Sequence, residues 1–314
     1  MVLETLAFIF PGQGSQSVGM LAELASQEPL VQETFSEASD ALGFDLWSLA
    51  QNGPDETQNL TENTQPLILT ASVALWRLWS QRSEQRPAQM AGHSLGEFSA
   101  LVCAGALPFA ETVDLVRQRG QFMQTAVPVG VGAMAAIIGL GDEQINLACE
   151  QGAGDEVVSA VNYNSPGQVV IAGHAAAVQR ASELCKEAGA KRALPLPVSA
   201  PFHTSLMQPA GEQLASVLQG IPINAPTIPV IHNVHAQAEQ DAEKIRQLLV
   251  KQISSPVPWV SCVSALTGNG AKHLVECGPG KVLSGLSRRI DKTIQSSNLQ
   301  VSDDFDGLID ALGV

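Results

Sequence analysis

Gly92-His93-Ser94-Leu95-Gly96 is a Gly-x-Ser-x-Gly pentapeptide. A serine so framed is a candidate nucleophile when a strand leads into it and a helix leads away. A sharp turn lifts the hydroxyl clear of the sheet, and glycines on either side let neighbouring backbone pass without a side-chain clash. The start of the following helix aims N–H groups and the positive dipole end at charge growing on a bound carbonyl oxygen. The competing reading is a glycine-rich turn whose serine only caps the helix. A serine nucleophile asks for a base, and the loop Val198-Ser199-Ala200-Pro201-Phe202-His203-Thr204-Ser205 offers His203. Taken alone, a histidine ahead of a helix is more simply a cap or a half-buried surface residue. The elbow upstream shifts that reading toward a base.

Other residues invite chemistry less strongly. Pro11-Gly12-Gln13-Gly14-Ser15-Gln16 follows an apolar run. It lacks the glycine spacing of a dinucleotide fold and the Gly-Lys-Ser/Thr ending of a phosphate loop. It reads either as a loop offering N–H groups to an anionic oxygen or as a plain strand-to-helix turn. Arg117 and Arg119 follow the serine on an expected helix, where an arginine is most often a solvated charge. His232 and His235 have no acidic helper or third ligand nearby in sequence, so no metal is expected there.

The surrounding elements are those such a site needs. Thr5 to Phe10 is a near-continuous apolar run, the pattern of a strand buried on both faces. Ala88 to Ala91 is a short strand end before the elbow, and Leu95 to Ala104 a helix after it. Helices are expected over Ala22 to Leu42 with interruptions, Thr64 to Gln81 with Pro66 at its start, and Pro108 to Thr125. From Val129 to Ser199 the order is strand, helix, strand, strand, helix, strand, the ferredoxin-like arrangement, with a turn at Asn164-Ser165-Pro166-Gly167. The expected fold is therefore α/β: a large subdomain over 1–128 and 200–314, with a small ferredoxin-like subdomain inserted over 129–199. Further on, helices are expected over Gln240 to Ile253 and Trp259 to Leu266. A strand follows at His273 to Cys277, and a helix from Lys281 to Arg289.

Composition narrows the function classes. The 314 residues are 45% hydrophobic and 15% charged, suited to a large buried core. A formal net charge of −14 argues against nucleic acid or anionic membrane as partner. The 5 cysteines are scattered without a Cys-x-x-Cys pair, which points to reduced, packed thiols in the cytoplasm. No signal peptide is read at the start, and the longest apolar tract, Val127 to Leu140, is too short to span a bilayer.

Together, Phe10-Pro11-Gly12-Gln13-Gly14-Ser15-Gln16, Gly92-His93-Ser94-Leu95-Gly96-Glu97, Arg119-Gly120, Asn164-Ser165-Pro166-Gly167-Gln168, Ala200-Pro201-Phe202-His203 and Glu276-Cys277-Gly278-Pro279-Gly280 resemble the malonyl-CoA:acyl-carrier-protein transacylases. The resemblance runs in order along nearly the whole chain, leaving out the last dozen or so residues. It implies an α/β-hydrolase-like large subdomain and a site in the cleft beside the small one. Ser94 matches the nucleophile and His203 the base; Gln13 and Leu95 match the oxyanion N–H groups. Arg119 matches the arginine that grips the malonyl carboxylate, and Gln252 the main-chain carbonyl that orients the histidine. Phe202 stands where malonyl-selective relatives carry phenylalanine. The resemblance also implies ping-pong transfer without metal or redox cofactor, coenzyme A thioester being a substrate. A monomer is expected, docking acyl carrier protein through Lys191, Arg192, Lys281, Arg288 and Arg289, unless these are ordinary solvated charges. A carboxylesterase or thioesterase would share the elbow and histidine, but it would not need Arg119 and would normally give the histidine an acid. A non-catalytic carrier-docking module would ignore the serine.

Overall fold

A computed structural model describes residues 1–198 and 200–313. Ser199 and Val314, which end the two expected subdomain segments, lie outside the described residues.

The strands, in chain order, are β1 Val2–Phe10, β2 Arg86–Gly92, β3 Gly132–Ile138, β4 Val158–Ser165, β5 Gln168–His174, β6 Arg192–Pro195, β7 Val230–His232, β8 Gln237–Ala238, β9 His273–Glu276 and β10 Gln295–Asn298. They form a 6-stranded sheet, β10-β9-β1-β2-β7-β8, and a 4-stranded sheet, β4-β5-β3-β6. In the larger sheet β10, β9, β1, β2 and β7 run parallel, and only the edge strand β8 is antiparallel. Parallel strands need both faces covered, and β1 shows how its sequence achieves this. Phe8 and Phe10 point to the main core, with Phe8 against Trp76 and Trp79; Ala7 and Ile9 point to a second core under the helices Trp259–Gly268 and Val282–Ile290.

The smaller sheet is wholly antiparallel, and its strand order is that of a β-α-β-β-α-β unit. Ala135, Ile137, Val169 and Ile171 face the helices Asp142–Ala153 and Ala175–Glu187. Met134, Val170 and Ala172 face the opposite way and join the main core, so this sheet walls the larger unit. The bridge between Asn162 and Val257 stitches β4 to the segment that follows the helix Ala242–Gln252.

Some expectations need correcting. The helix through Pro66 starts earlier, at Thr61, and Pro66 lies inside it. β4 continues through Ser165, so the hairpin turn is confined to Pro166 and Gly167. The strand expected over Ala190 to Val198 is only Arg192–Pro195.

Candidate active site

Three loops at the carboxyl ends of parallel strands converge: Gln13 follows β1, Ser94 follows β2 and Asn233 follows β7. Open α/β sheets place ligands at this edge. Ser94 has φ 52 and ψ −106, a conformation an L-residue rarely holds. Its surroundings impose it. A Cβ on Gly92 would stand 1.9 Å from the Gly96 carbonyl carbon, and one on Gly96 would stand 2.0 Å from the Phe10 oxygen. The Asn233 side chain clamps the turn, accepting from the Ser94 N–H (2.8 Å) and donating to the Gly92 carbonyl (2.7 Å). Ser94 occupies the N-cap position of the helix Leu95–Cys103, yet its side chain makes no cap bond. The helix-cap reading is therefore set aside.

The hydroxyl meets His203 instead, with Ser94 Oγ 2.8 Å from Nε2. Nδ1 of the same ring lies 3.0 Å from the Gln252 main-chain oxygen. A carbonyl oxygen only accepts, so Nδ1 carries the proton and Nε2 is free to accept from Ser94. His203 is 4% exposed and has φ 65, held by the turn before the short helix Ser205–Met207. Burial, and then the Arg119 charge, push its pKa down to about 3. A neutral imidazole is the form that takes a proton.

Arg119 is not a solvated charge. It is 1% exposed on the inner face of the helix Phe109–Thr125, whereas Arg117 on the same helix is half-buried over the Phe44 ring. Nη1 donates to Gln65 Oε1 (2.8 Å); Nη2 donates to Gln252 Oε1 (2.8 Å) and Ser94 Oγ (3.2 Å). Burial lowers its pKa to about 10, so it remains a cation at neutral pH.

Ser94, His203 and Arg119 open on one cavity of about 130 Å³, with Gln13, Leu95 and Phe202 also in its wall. Met134 and Asn162 of the smaller sheet close the opposite side. His93 ties the two sides together through Nε2 and Asn164 Oδ1 (2.8 Å).

Sequence reasoning missed what lies beneath. Glu97 is fully buried; His232 Nδ1 donates to its Oε1 (2.7 Å), while the Asn233 N–H (2.9 Å) and Gln252 Nε2 (2.8 Å) donate to its Oε2. Folding thus supplies the acidic partner that His232 lacks along the chain, while the exposed His235 sets its ring edge-on to that of His232, centroids 6.1 Å apart. Among the described residues, no cluster of His, Cys, Asp and Glu is arranged to hold a metal. One signal for Glu97 was available: it sits inside the apolar stretch of a helix buried almost throughout.

The exposed cations Lys191, Arg192 and Arg289, distant in sequence, come to one end of the smaller sheet, whereas the exposed Arg288 turns to the larger one and donates to the Ser296 carbonyl of β10 (2.9 Å). Ile138 pairs with both Arg192 and Gln168, and Arg289 Nη1 donates to Gln168 Oε1 (2.5 Å). Lys281 sits at the other end of the helix Val282–Ile290, about 10 Å from Arg288.

The profile of the acyl transferase domain family matches residues 7–301. Over 293 residues the chain is 60% identical to the malonyl CoA-acyl carrier protein transacylase of Salmonella typhimurium, covering 93% of this chain and 95% of that protein. A crystal structure of the malonyl-CoA:acyl carrier protein transacylase from Xanthomonas oryzae matches with a TM-score of 0.97 at 53% identity, covering 99% of both chains. A malonyl-transacylase solved in complex with a type II PKS acyl-carrier protein matches at 0.96 and 52% identity, covering 98% of this chain and 99% of that one.

Proposed function

The chain belongs to the acyl transferase family, among the malonyl-CoA:acyl-carrier-protein transacylases, and from that premise we propose how its own residues divide the work. The reaction moves malonyl from malonyl-CoA to the phosphopantetheine thiol of acyl carrier protein through a malonyl-serine ester, supplying fatty-acid elongation. In the first half, His203 Nε2 takes the Ser94 proton as Oγ attacks the thioester carbonyl. The N–H groups of Gln13 and Leu95 hold the oxyanion, and His203 returns the proton to the departing thiolate. In the second half, the carrier thiol gives its proton to His203 and attacks the ester. Oγ leaves and recovers the proton. The Gln252 carbonyl holds the imidazole tautomer, as the acid of a triad does elsewhere. The chemistry calls for no metal or redox cofactor.

The observation that carries this reading is Arg119, a buried cation within hydrogen-bonding distance of the nucleophile (3.2 Å). Hydrolysis of a simple ester has no use for it; a donor bearing a free carboxylate does. A planar guanidinium receives a carboxylate through paired N–H bonds. Phe202, in the cavity wall, then fills the space an α-methyl branch would need.

The chain is read as two subdomains, 1–128 with 200–314 and 129–199, with the cavity between them. Carrier protein is acidic and so is this chain, so docking falls to a local basic surface, Lys191, Arg192, Arg288 and Arg289, with Lys281 at its margin. Arg192 lies about 13 Å along the strand direction from Leu196 in the cavity wall, a span a pantetheine arm can bridge. The protein works as a monomer in the cytoplasm. No helix among the described residues is long and apolar enough to cross a membrane.

Thiol-dependent transfer tests the reading. Coenzyme A release from malonyl-CoA should turn over only when carrier protein or free pantetheine is added. Comparable release into water alone would make the protein a hydrolase.

A further inference from the structure

Arg119 is a buried cation that no carboxylate touches among the described residues. Removing a cation from water without a counter-charge is costly. Pairing Arg119 directly with an acid would be worse for function, because the fork would already be occupied when a substrate carboxylate arrived. The fold avoids both outcomes by setting a carboxylate one residue away. Glu97 receives Gln252 Nε2 at 2.8 Å, and the same amide presents Oε1 to Arg119 Nη2 at 2.8 Å. The amide cannot be reversed. Arg119 has only donors to offer, while the Glu97 oxygen and the Ser94 carbonyl, 3.0 Å from Nε2, accept.

We propose that Glu97 is the positioning residue that makes Arg119 a carboxylate reader. By gripping the Gln252 amide it holds the guanidinium beside Ser94 and balances its charge, yet leaves the fork free to exchange neutral amide partners for a substrate carboxylate. Glu97 thereby sets the preference for dicarboxylic over monocarboxylic acyl thioesters. The inference rests on the assignment of Arg119 given above. Glu97 is itself pinned from behind by His232 Nδ1 and the Asn233 N–H, so all its bonds come from donors. Its field acts on Arg119 in the direction of keeping the cation charged. The peptide carbonyl of Gln252 serves the base and its side chain serves the arginine, so the two functions separate by substitution.

The test is the ratio of acylation rates with malonyl-CoA and acetyl-CoA, read by intact mass in single turnovers of the full chain. Glu97→Gln turns one acceptor into a donor facing donors, while Gln252→Met deletes the link and keeps the carbonyl for His203. Each should lower the malonyl rate far more than the acetyl rate, reducing the ratio by about ten- to a hundredfold. The double variant should be no worse than the more impaired single. If Glu97→Gln fails to fold, Gln252→Met still decides, because it leaves the buried charge in place. Equal losses with both donors, or an unchanged ratio, would overturn the proposal. Arg119→Ala separates the layers. If it collapses the ratio and Gln252→Met does not, the Glu97 link alone is wrong; if Arg119→Ala leaves the ratio intact, the assignment of Arg119 falls too.

Discussion

Ser94, His203 and Arg119 are close enough to share one hydroxyl, and each changes what the others can do. Arg119 withdraws charge from Ser94 Oγ and discourages His203 from protonating early. A histidine in water titrates near 6.5, and this one is held to about 3. The acid limb of kcat/KM should therefore lie well below 6.5, because the base stays neutral as pH falls through that value. Arg119→Met removes one of the depressing charges, and its limb should move upward. A wild-type limb at 6.5 would contradict the assignment. Phe202 carries a separate expectation: Phe202→Ser should raise methylmalonyl transfer relative to malonyl by about tenfold or more, since one methyl is worth ~1–3 kcal/mol. An unchanged ratio from competition kinetics would reduce Phe202 to packing. Ser94, His203 and Arg119, which the fold brings together, were legible in the sequence because the chemistry proposed for them demands fixed types in short motifs. Glu97 and Asn233 were not, because their partners His232, Gln252 and Ser94 are remote in sequence and meet only through the sheet.

The elements explain why the motifs sit where they do. The elbow exists because β1 and the helix Leu95–Cys103 approach so closely that only glycine fits at Gly96. Asn233, arriving from β7, holds the strained serine by its N–H. Asn233→Ala leaves the part-buried Ser94 N–H and the buried Gly92 carbonyl without their partner, a loss of ~1–3 kcal/mol for the buried carbonyl and less for the N–H. Thermal unfolding should shift down, and single-turnover acylation should slow while KM changes little. Loss of KM alone would mean Asn233 does not shape the nucleophile. Strands with apolar runs, such as β1, were readable. β10 was not, because Gln-Ser-Ser-Asn carries no apolar alternation and is a strand only by pairing with β9. The helix Ser302–Leu312 lacked any motif, although Phe305 and Leu308 bury it against the main core. Pro66 misled in the usual way, since proline marks a helix start by propensity while packing carried this helix further back.

For the whole molecule, charge decides how a partner approaches. With a net charge of −14, an acidic carrier is repelled on average and must find a local exception. The proposed exception lies where register across the smaller sheet joins Arg192 to Arg289 through Ile138 and Gln168. The sequence singled out these cations by charge alone; that Arg192 and Arg289 meet the same strand end follows from the pairing of β3 with β5 and β6. Reversing both charges, Arg288→Glu with Arg289→Glu, should weaken transfer to carrier protein by about tenfold or more at low salt and spare transfer to free pantetheine. Equal loss with both acceptors would assign these arginines another role, such as holding the two sheets together.

In the proposed mechanism malonyl passes through an ester on Ser94. Intact mass of the protein after brief exposure to malonyl-CoA, followed by peptide mapping, tests it most directly. One malonyl adduct is expected, carried on the peptide containing Ser94, discharged by added pantetheine and absent in Ser94→Ala. An adduct on another peptide, or transfer that persists in Ser94→Ala, would contradict it.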